Sequence, residues 1–169
     1  MNTTQQKQAF LGLIEQNKGI IIKICNSYCS HKADREDLAQ EIIYQLWKSG
    51  HTFNSDYRFS TWMYRIALNV AISHFRKNKS ETKPITLSEW HIEIEDPPET
   101  SSEKEKQLQL LQLFISQMKE LDKALMLLWL ESKSYSEISE IVGITETNVA
   151  TKLSRLKEKL KQQFAQLQL

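Results

Sequence analysis

The chain has 169 residues, a formal net charge of +1, and only 4 glycines and 3 prolines. Leu, Ile, Lys, Glu and Gln dominate, and because these residues lose little freedom in a helix, the composition favours an all-α fold of one or two domains. The near-neutral charge is atypical of a protein that binds DNA unaided, so any basic surface must be local.

The N-terminal stretch "MNTTQQKQAF" is polar and lacks the charged-then-apolar layout of a signal peptide. The most apolar stretch, "GIIIKIC", is far too short to span a bilayer. The sequence therefore predicts a cytoplasmic protein that does not insert into a membrane.

The first periodic segment, residues 6–27, predicts a helix that ends beside two cysteines. Cys25 and Cys29 lie four residues apart, on one face if the helix continues, and His31 follows them. Two thiols and one imidazole without a fourth ligand are weak evidence for a metal site. Two small buried hydrophobic side chains is the favoured interpretation, because unpaired cysteines are often buried.

The second segment, residues 34–47, predicts an amphipathic helix with an unusual outer face. Its core face consists of Leu38, Ala39, Ile42, Ile43 and Leu46. Its outer face mixes acids and aromatics: Asp37, Gln40, Glu41, Tyr44 and Trp47. Solvated faces seldom carry Trp and Tyr, whereas protein interfaces are enriched in them, so this face is predicted to bind a partner protein. Packing of the aromatic residues against the neighbouring loop is the alternative.

The third segment, residues 60–77, predicts a helix that is apolar around most of its circumference at about 100° per residue. One narrow polar stripe remains, formed by Trp62, Arg65, Asn69, Ser73 and Arg76. Such a helix is expected to be buried except along this stripe. For Trp62, simple core packing is the alternative.

An acidic stretch then separates two helical regions. It contains Pro84, Pro97 and Pro98, with seven acidic residues and two lysines up to Lys106. Helix breakers among like charges predict a linker over residues 84–105, between domains 1–83 and 106–169. Helical periodicity resumes at about Lys106, with a break expected near residues 121–122.

The C-terminal stretch "SYSEISEIVGITETNVATKLSRLKEKL" predicts two helices joined by a short turn. Ser134 and Glu137 form a capping-box pattern, Gly143 suits a turn, and Thr145 caps the second helix. The buried stripe of that helix consists of Val149, Leu153, Leu156 and Leu160.

The opposite face of this second helix is polar and basic, with Thr147, Asn148, Thr151, Lys152, Arg155 and Lys159. A helix, a tight turn and a second helix with such a face form a helix-turn-helix. The second helix of this motif reads base edges in the major groove. An ordinary helical hairpin with a solvated charged face is the alternative. The combination of caps, turn and outward residues favours DNA binding.

Three segments resemble, in order and spacing, a bacterial RNA polymerase sigma factor of the extracytoplasmic-function subgroup. They are "DREDLAQEIIYQLW", "FSTWMYRIALNVAISHFRKNK" and "LDKALMLLWLESKSYSEISEIVGITETNVATKLSRLKEKL". The resemblance covers nearly the whole chain. It implies two small helical domains joined by an acidic linker, and a subunit that directs core RNA polymerase to promoters without catalysis or a cofactor of its own.

The resemblance also implies a role for each segment. Residues 37–47 would clamp the coiled coil of the largest polymerase subunit. The helix over residues 60–77 and the loop before it would open the minus-ten element and hold the melted non-template strand, with Phe53 and Asn69 lining a pocket for a flipped base. Lys77, Lys79 and Lys83 would continue this basic surface.

By the same resemblance, the helix-turn-helix would bind the minus-thirty-five element as duplex DNA. The linker would thread toward the catalytic centre and the RNA exit path of the polymerase. An anti-sigma protein is a further implied partner.

The polar stripe suits a melted strand on physical grounds. Arg65 and Arg76 can neutralise phosphates, Trp62 can stack a base, and Asn69 can hydrogen-bond an exposed base edge. Stacking on an aromatic ring contributes about 1–3 kcal/mol per base, which offsets part of the cost of unstacking it. Asn69 on a largely buried helix also favours function, because a buried amide without partners is costly.

Two other classes of function are less well supported. An autonomous helix-turn-helix regulator would explain only the C-terminal region, and it would need a dimer to reach two half-sites. An enzyme is disfavoured because no glycine-rich phosphate loop or nucleophile motif occurs and the four histidines are scattered along the chain.

Overall fold

A computed structural model of the chain describes residues 3–78 and 102–167. Within these ranges the regular structure is helical, which confirms the all-α prediction. The helices are α1 (Thr3–Gln16), α2 (Lys18–Tyr28), α3 (Lys32–Ser49), α4 (Phe59–Asn78), α5 (Glu103–Ser116), α6 (Glu120–Leu130), α7 (Tyr135–Val142) and α8 (Glu146–Leu167). A 3₁₀ turn, Gly50–Thr52, follows α3. None of the helices described is long and apolar enough to cross a membrane.

The chain divides into two compact units, Met1–His74 and Phe75–Leu169, here called the N-terminal unit and the C-terminal unit. Most of the predicted linker, with Lys79 and Lys83, lies outside the described residues. Its predicted last three residues are helical, because α5 already begins at Glu103. Ser102 caps that helix by accepting a hydrogen bond from the Glu105 amide at 3.3 Å.

The prediction of one helix over residues 6–27 was wrong, since α1 ends at Gln16 and α2 begins at Lys18. Asn17 separates them with φ −109° and ψ 14°. Its amide Nδ2 donates to the Leu13 carbonyl oxygen at 2.9 Å, so a side chain occupies an acceptor at the end of α1. Asparagine commonly interrupts helices in this way, by competing for backbone partners.

The core of the N-terminal unit is formed by α2, α3 and α4. Its buried side chains include Ile20, Ile21, Ile24, Leu38, Ile42, Leu46, Met63, Tyr64, Ala67, Leu68 and Ala71. The prediction that Ile43 lies on the core face of α3 was wrong, because its side chain is 44% exposed. At 100° per residue Ile43 lies about 140° from Leu38, so it belongs beside Trp47 on the outer face.

Cys25 and Cys29 lie near the end of α2. Cys25 is buried, and burial, with the nearby Cys29 thiol, raises the pKa of the Cys25 thiol to about 12. Cys29 is half-buried where α2 ends, and the Arg35 guanidinium closes the following turn by donating to the Ser30 carbonyl oxygen at 2.8 Å. The burial of Cys25 agrees with its interpretation as a small hydrophobic side chain.

In the C-terminal unit, α7, a turn and α8 form the predicted helix-turn-helix. The Glu137 amide donates to Ser134 Oγ at 3.1 Å, and the Asn148 amide donates to Thr145 Oγ1 at 3.2 Å, so both caps are present. Gly143 has φ +79°, a left-handed conformation that glycine adopts at little cost. The buried residues of α8 are the four predicted: Val149, Leu153, Leu156 and Leu160.

The break between α5 and α6 lies earlier than predicted. Residues 117–119 interrupt the helices, and α6 begins at Glu120 rather than after residue 122. Glu120 and Asp122 occupy the first turn of α6, where negative charge interacts favourably with the helix dipole.

Candidate nucleic-acid interface

The outer face of α3 is exposed at every predicted position: Asp37, Gln40, Glu41, Tyr44 and Trp47. Tyr44 is 56% exposed and Trp47 is 42% exposed. Both lie at a shallow apolar depression of about 470 Å³, which is also lined by Leu11, Ile14, Gln40 and Ile43. Leu11 of α1 and Ile43 were not predicted at this surface, because it arises only when α1 packs beside α3.

The polar stripe of α4 is open along its length. Arg65, Asn69, Ser73, Arg76 and Lys77 are exposed, and Trp62 is half-buried. The argument that Asn69 is a buried amide was wrong, since its side chain faces solvent. Its exposure instead leaves the amide available to a ligand.

A small pocket of about 330 Å³ opens at the N-terminal half of this stripe. It is lined by Ser49, Thr52, Trp62, Arg65, Ile66 and Asn69. Trp62 Nε1 donates to Thr52 Oγ1 at 3.3 Å, and Thr52 Oγ1 donates to the Ser49 carbonyl oxygen at 2.7 Å. The pocket thus combines an indole, a guanidinium, an amide and a hydroxyl in a space large enough for one planar ring.

Three of the predicted minus-ten residues meet in this pocket, namely Trp62, Arg65 and Asn69. Ser73, Arg76 and Lys77 continue along α4 and do not line it. Ser49, the last residue of α3, and Thr52, in the following 3₁₀ turn, also line the pocket. Neither was predicted, because both lie outside the segments that carry the motifs.

Phe53 does not line the pocket, unlike the expectation from the resemblance. It belongs to an aromatic cluster, which we define as Phe10, Trp47, Phe53, Phe59 and Trp62. The Phe53 ring packs edge-on against Phe59, with centroids 5.2 Å apart, and at a tilt against Trp62 at 5.5 Å. Trp62 therefore both packs in this cluster and borders the pocket.

The outward face of α8 presents most of the predicted DNA-binding residues to solvent. Thr147, Asn148, Thr151, Arg155 and Lys159 are exposed, and Lys152 is half-buried. Lys157, one of the five basic residues between positions 147 and 161, is directed elsewhere. Its ammonium lies 4.9 Å from the centroid of the Trp129 ring and 3.5 Å from the Tyr135 hydroxyl.

Comparison with protein families accounts for both units. Sigma-70 region 2 matches residues 13–81, and Sigma-70 region 4 matches residues 108–160. The ECF RNA polymerase sigma factor SigW of Bacillus subtilis is 26% identical over 95% of this chain and 91% of its own length. The chain belongs to the ECF subgroup of the sigma-70 family.

Two other relatives are likewise sigma factors of the ECF subgroup. The ECF RNA polymerase sigma-E factor of Haemophilus influenzae is 26% identical over 95% of this chain and 90% of its own length. The ECF RNA polymerase sigma factor SigM of Bacillus subtilis is 28% identical over 75% of this chain and 77% of its own length.

Two solved structures have a similar fold. The sigma factor RpoE, in complex with the anti-sigma factor NepR from Bartonella quintana, superposes with a TM-score of 0.67 at 18% identity, covering 95% of this chain and 96% of that one. CnrH, in complex with the cytosolic domain of CnrY, gives a TM-score of 0.66 at 16% identity, covering 94% of this chain and 89% of that one. At these identities they support the fold alone.

The region 2 match in this sigma factor contains the outer face of α3 and every residue of the pocket. The region 4 match contains α7 and the outward residues of α8 as far as Lys159. Phe10, a member of the aromatic cluster, precedes the region 2 match by three residues.

Proposed function

We propose that this sigma factor brings core RNA polymerase to promoters by three surfaces: the outer face of α3, the pocket on α4 and the outward face of α8. The observation that carries the proposal is the pocket beside Trp62. Its stacking surface, guanidinium and amide are the groups that a base extruded from a duplex requires, and they share one exposed stripe.

The pocket is proposed to hold one base of the melted non-template strand of the minus-ten element. Trp62 provides an aromatic surface, and stacking contributes about 1–3 kcal/mol per base. Asn69 and Thr52 supply hydrogen-bonding groups for the base edge. Arg65, Arg76 and Lys77 are exposed and suited to the phosphates on either side of it.

The outer face of α3 is proposed to bind core polymerase. Its apolar centre, formed by Ile43, Tyr44 and Trp47, has the composition of an interface hot spot. Asp37 and Glu41 are exposed beside it and would favour a basic partner surface. The coiled coil of the largest polymerase subunit is the partner that the family resemblance implies.

The outward face of α8 is proposed to bind the minus-thirty-five element as duplex DNA. Thr147, Asn148 and Thr151 lie in its first two turns, the part of a recognition helix that contacts base edges. Arg155 and Lys159 lie further along and would contact phosphates, which position the helix without reading sequence.

An anti-sigma protein is proposed as a regulatory partner, by analogy with the complex of RpoE and NepR. The proposed location is the cytoplasm, because the proposed partners are core polymerase and promoter DNA. The chain is proposed to act without catalysis of its own.

The test is reconstituted transcription with core polymerase on a random promoter library, followed by gel shifts of a selected promoter with and without core polymerase. Initiation from a defined minus-thirty-five and minus-ten pair, with tight binding only in the presence of core polymerase, is expected. Arg155→Ala should weaken upstream binding and leave association with polymerase unchanged. Tight operator binding by the free chain, without promoter-specific initiation, would instead indicate an autonomous regulator.

A further inference from the structure

The ring of Phe10, on α1, contacts three aromatic rings from two other helices of the N-terminal unit, α3 and α4. Its centroid lies 5.8 Å from Trp62 and 5.9 Å from Phe59, both nearly edge-on, and 6.2 Å from Trp47. These separations are typical of stabilising aromatic pairs. Phe10 therefore stands between α3, whose outer face is proposed to bind polymerase, and the tryptophan that borders the base pocket.

Gly50 provides independent evidence that the position of the Phe10 ring matters. Its φ of −55° and ψ of −31° are open to any residue, so its backbone does not require glycine. A Cβ atom at Gly50, however, would lie 3.0 Å from Cζ and 3.1 Å from Cε1 of Phe10. The ring has little room to give way, because Trp47, Phe59 and Trp62 pack around it.

Phe10 is connected to the pocket through Trp62, which contacts the Phe10 ring and lines the pocket. The indole nitrogen of Trp62 donates to Thr52 Oγ1, and both residues line the pocket. Thr52 lies two positions after Gly50 in the chain. A tilt of the indole would shift the stacking surface and this hydrogen bond together. Stacking and hydrogen bonding to a base both depend on such geometry, so the tilt would alter capture and selectivity.

We propose that Phe10 and Gly50 are positioning residues that hold the Trp62 indole in the orientation the base pocket needs. The proposal rests on the proposed function of that pocket. It assigns a role to a residue that precedes the region 2 match, which begins at residue 13. The proposal also explains why position 50 is a glycine, since the backbone angles there would allow any residue.

The experiment compares Phe10→Leu, Gly50→Ala and the double variant, each as the full chain bound to core polymerase. Gly12→Ala is the matched control, because a Cβ at Gly12 meets no atom within 4 Å. Trp62→Ala reports separately on whether the pocket functions. The readouts are the indole N–H resonance of Trp62, the rate of promoter opening at saturating chain, and base preference at each melted position.

Phe10→Leu and Gly50→Ala should each shift the Trp62 resonance and change preference at one melted base. Each should also slow opening about three- to tenfold, a range matching the loss of the Phe10–Trp62 pair. Gly12→Ala should do none of these. In the Phe10→Leu background, Gly50→Ala should have almost no further effect, since the ring it displaces is gone. Non-additivity of this kind is expected for residues that contact each other and not for distant, independent ones.

Three results would overturn the proposal. The first is an unshifted Trp62 resonance in Gly50→Ala. The second is a slowing of promoter opening that disappears when the chain saturates core polymerase, because the defect would then lie in polymerase binding. The third is normal opening in both variants while Trp62→Ala is defective. If Trp62→Ala opens promoters normally, the function proposed for the pocket fails as well, and the shifted resonance alone would not rescue either idea.

Discussion

Asn69 illustrates how exposure changes the meaning of a polar residue. On the sequence it lies on a helix that is apolar on most sides, which suggested a buried amide. In the structure it lines the pocket together with Trp62 and Arg65 and is open to solvent. Because the Asn69 side chain is exposed, replacing it should change the stability of the fold little. Its contribution to DNA binding and promoter opening can therefore be measured directly.

We expect Asn69→Ala to leave the closed promoter complex intact and to reduce promoter opening roughly threefold to tenfold. The reason is the loss of about one net hydrogen bond to the captured base. Permanganate reactivity of melted thymines and base preference across the minus-ten element are the measurements. Asn26→Ala, an exposed asparagine on α2, is the matched control. Unchanged opening with unchanged base preference would argue against the role of Asn69.

At the scale of the element, α8 shows that a basic run is not a uniform basic surface. Positions 147–161 contain five basic residues and one acidic residue. Lys159 is exposed, whereas Lys157 rests its ammonium over the Trp129 ring, next to the Tyr135 hydroxyl. Such a contact contributes roughly 0.5–1 kcal/mol at an exposed site, so it ties α8 to the helices before it.

We expect Lys159→Gln to reduce the salt dependence of upstream duplex binding and Lys157→Gln to leave it nearly unchanged. Each phosphate contact contributes about −0.9 to the slope of log affinity against log salt concentration. Titrations of the polymerase complex on promoter duplex at several salt concentrations measure this slope. Equal losses of slope in the two variants would contradict the orientation of Lys157.

The first helix of the helix-turn-helix depends on its N-cap. Ser134→Ala removes the oxygen that accepts from the Glu137 amide and should lower the free energy of unfolding of the C-terminal unit by about 1 kcal/mol. Denaturant unfolding followed by the fluorescence of Trp129 is the measurement. Ser136→Ala, an exposed serine within α7, serves as control and should change little. Equal stabilities would mean that the cap contributes nothing measurable.

For the whole molecule, charge and surface area favour a protein that acts inside a larger complex. The formal net charge is only +1, and just five of the 22 basic residues lie between positions 147 and 161. Single DNA-binding modules bury little surface and depend strongly on salt, so each unit alone should bind promoter DNA weakly. Core polymerase would supply the missing affinity through α3.

We expect Tyr44→Ala to weaken association with core polymerase by about 2 kcal/mol or more, as truncation of an aromatic hot spot does. Upstream binding and opening should then decline together and recover together when the chain is in excess, unlike the isolated opening defect of Asn69→Ala. Titrated transcription and direct binding to core polymerase measure both. Ile22→Ala, an equally exposed apolar residue on α2, is the control. A selective loss of opening in Tyr44→Ala would contradict the assignment of α3.

The sequence by itself determined the features that depend on neighbours within about four residues. Capping at Ser134 and Thr145, the turn at Gly143, and the apolar stripe of α8 were predicted correctly because caps, turns and helical periodicity are local. The open polar stripe of α4 was predicted for the same reason.

Only the tertiary structure decided which of these residues meet. Ser49 and Thr52 join Trp62 and Asn69 in the pocket, and Phe53 packs into the aromatic cluster, because of how α3 and its turn approach α4. Likewise Lys157 is withdrawn from the basic face by Trp129, which lies 28 positions earlier in the chain. Contacts between distant residues depend on the packing of whole helices, and helical periodicity carries no record of that packing.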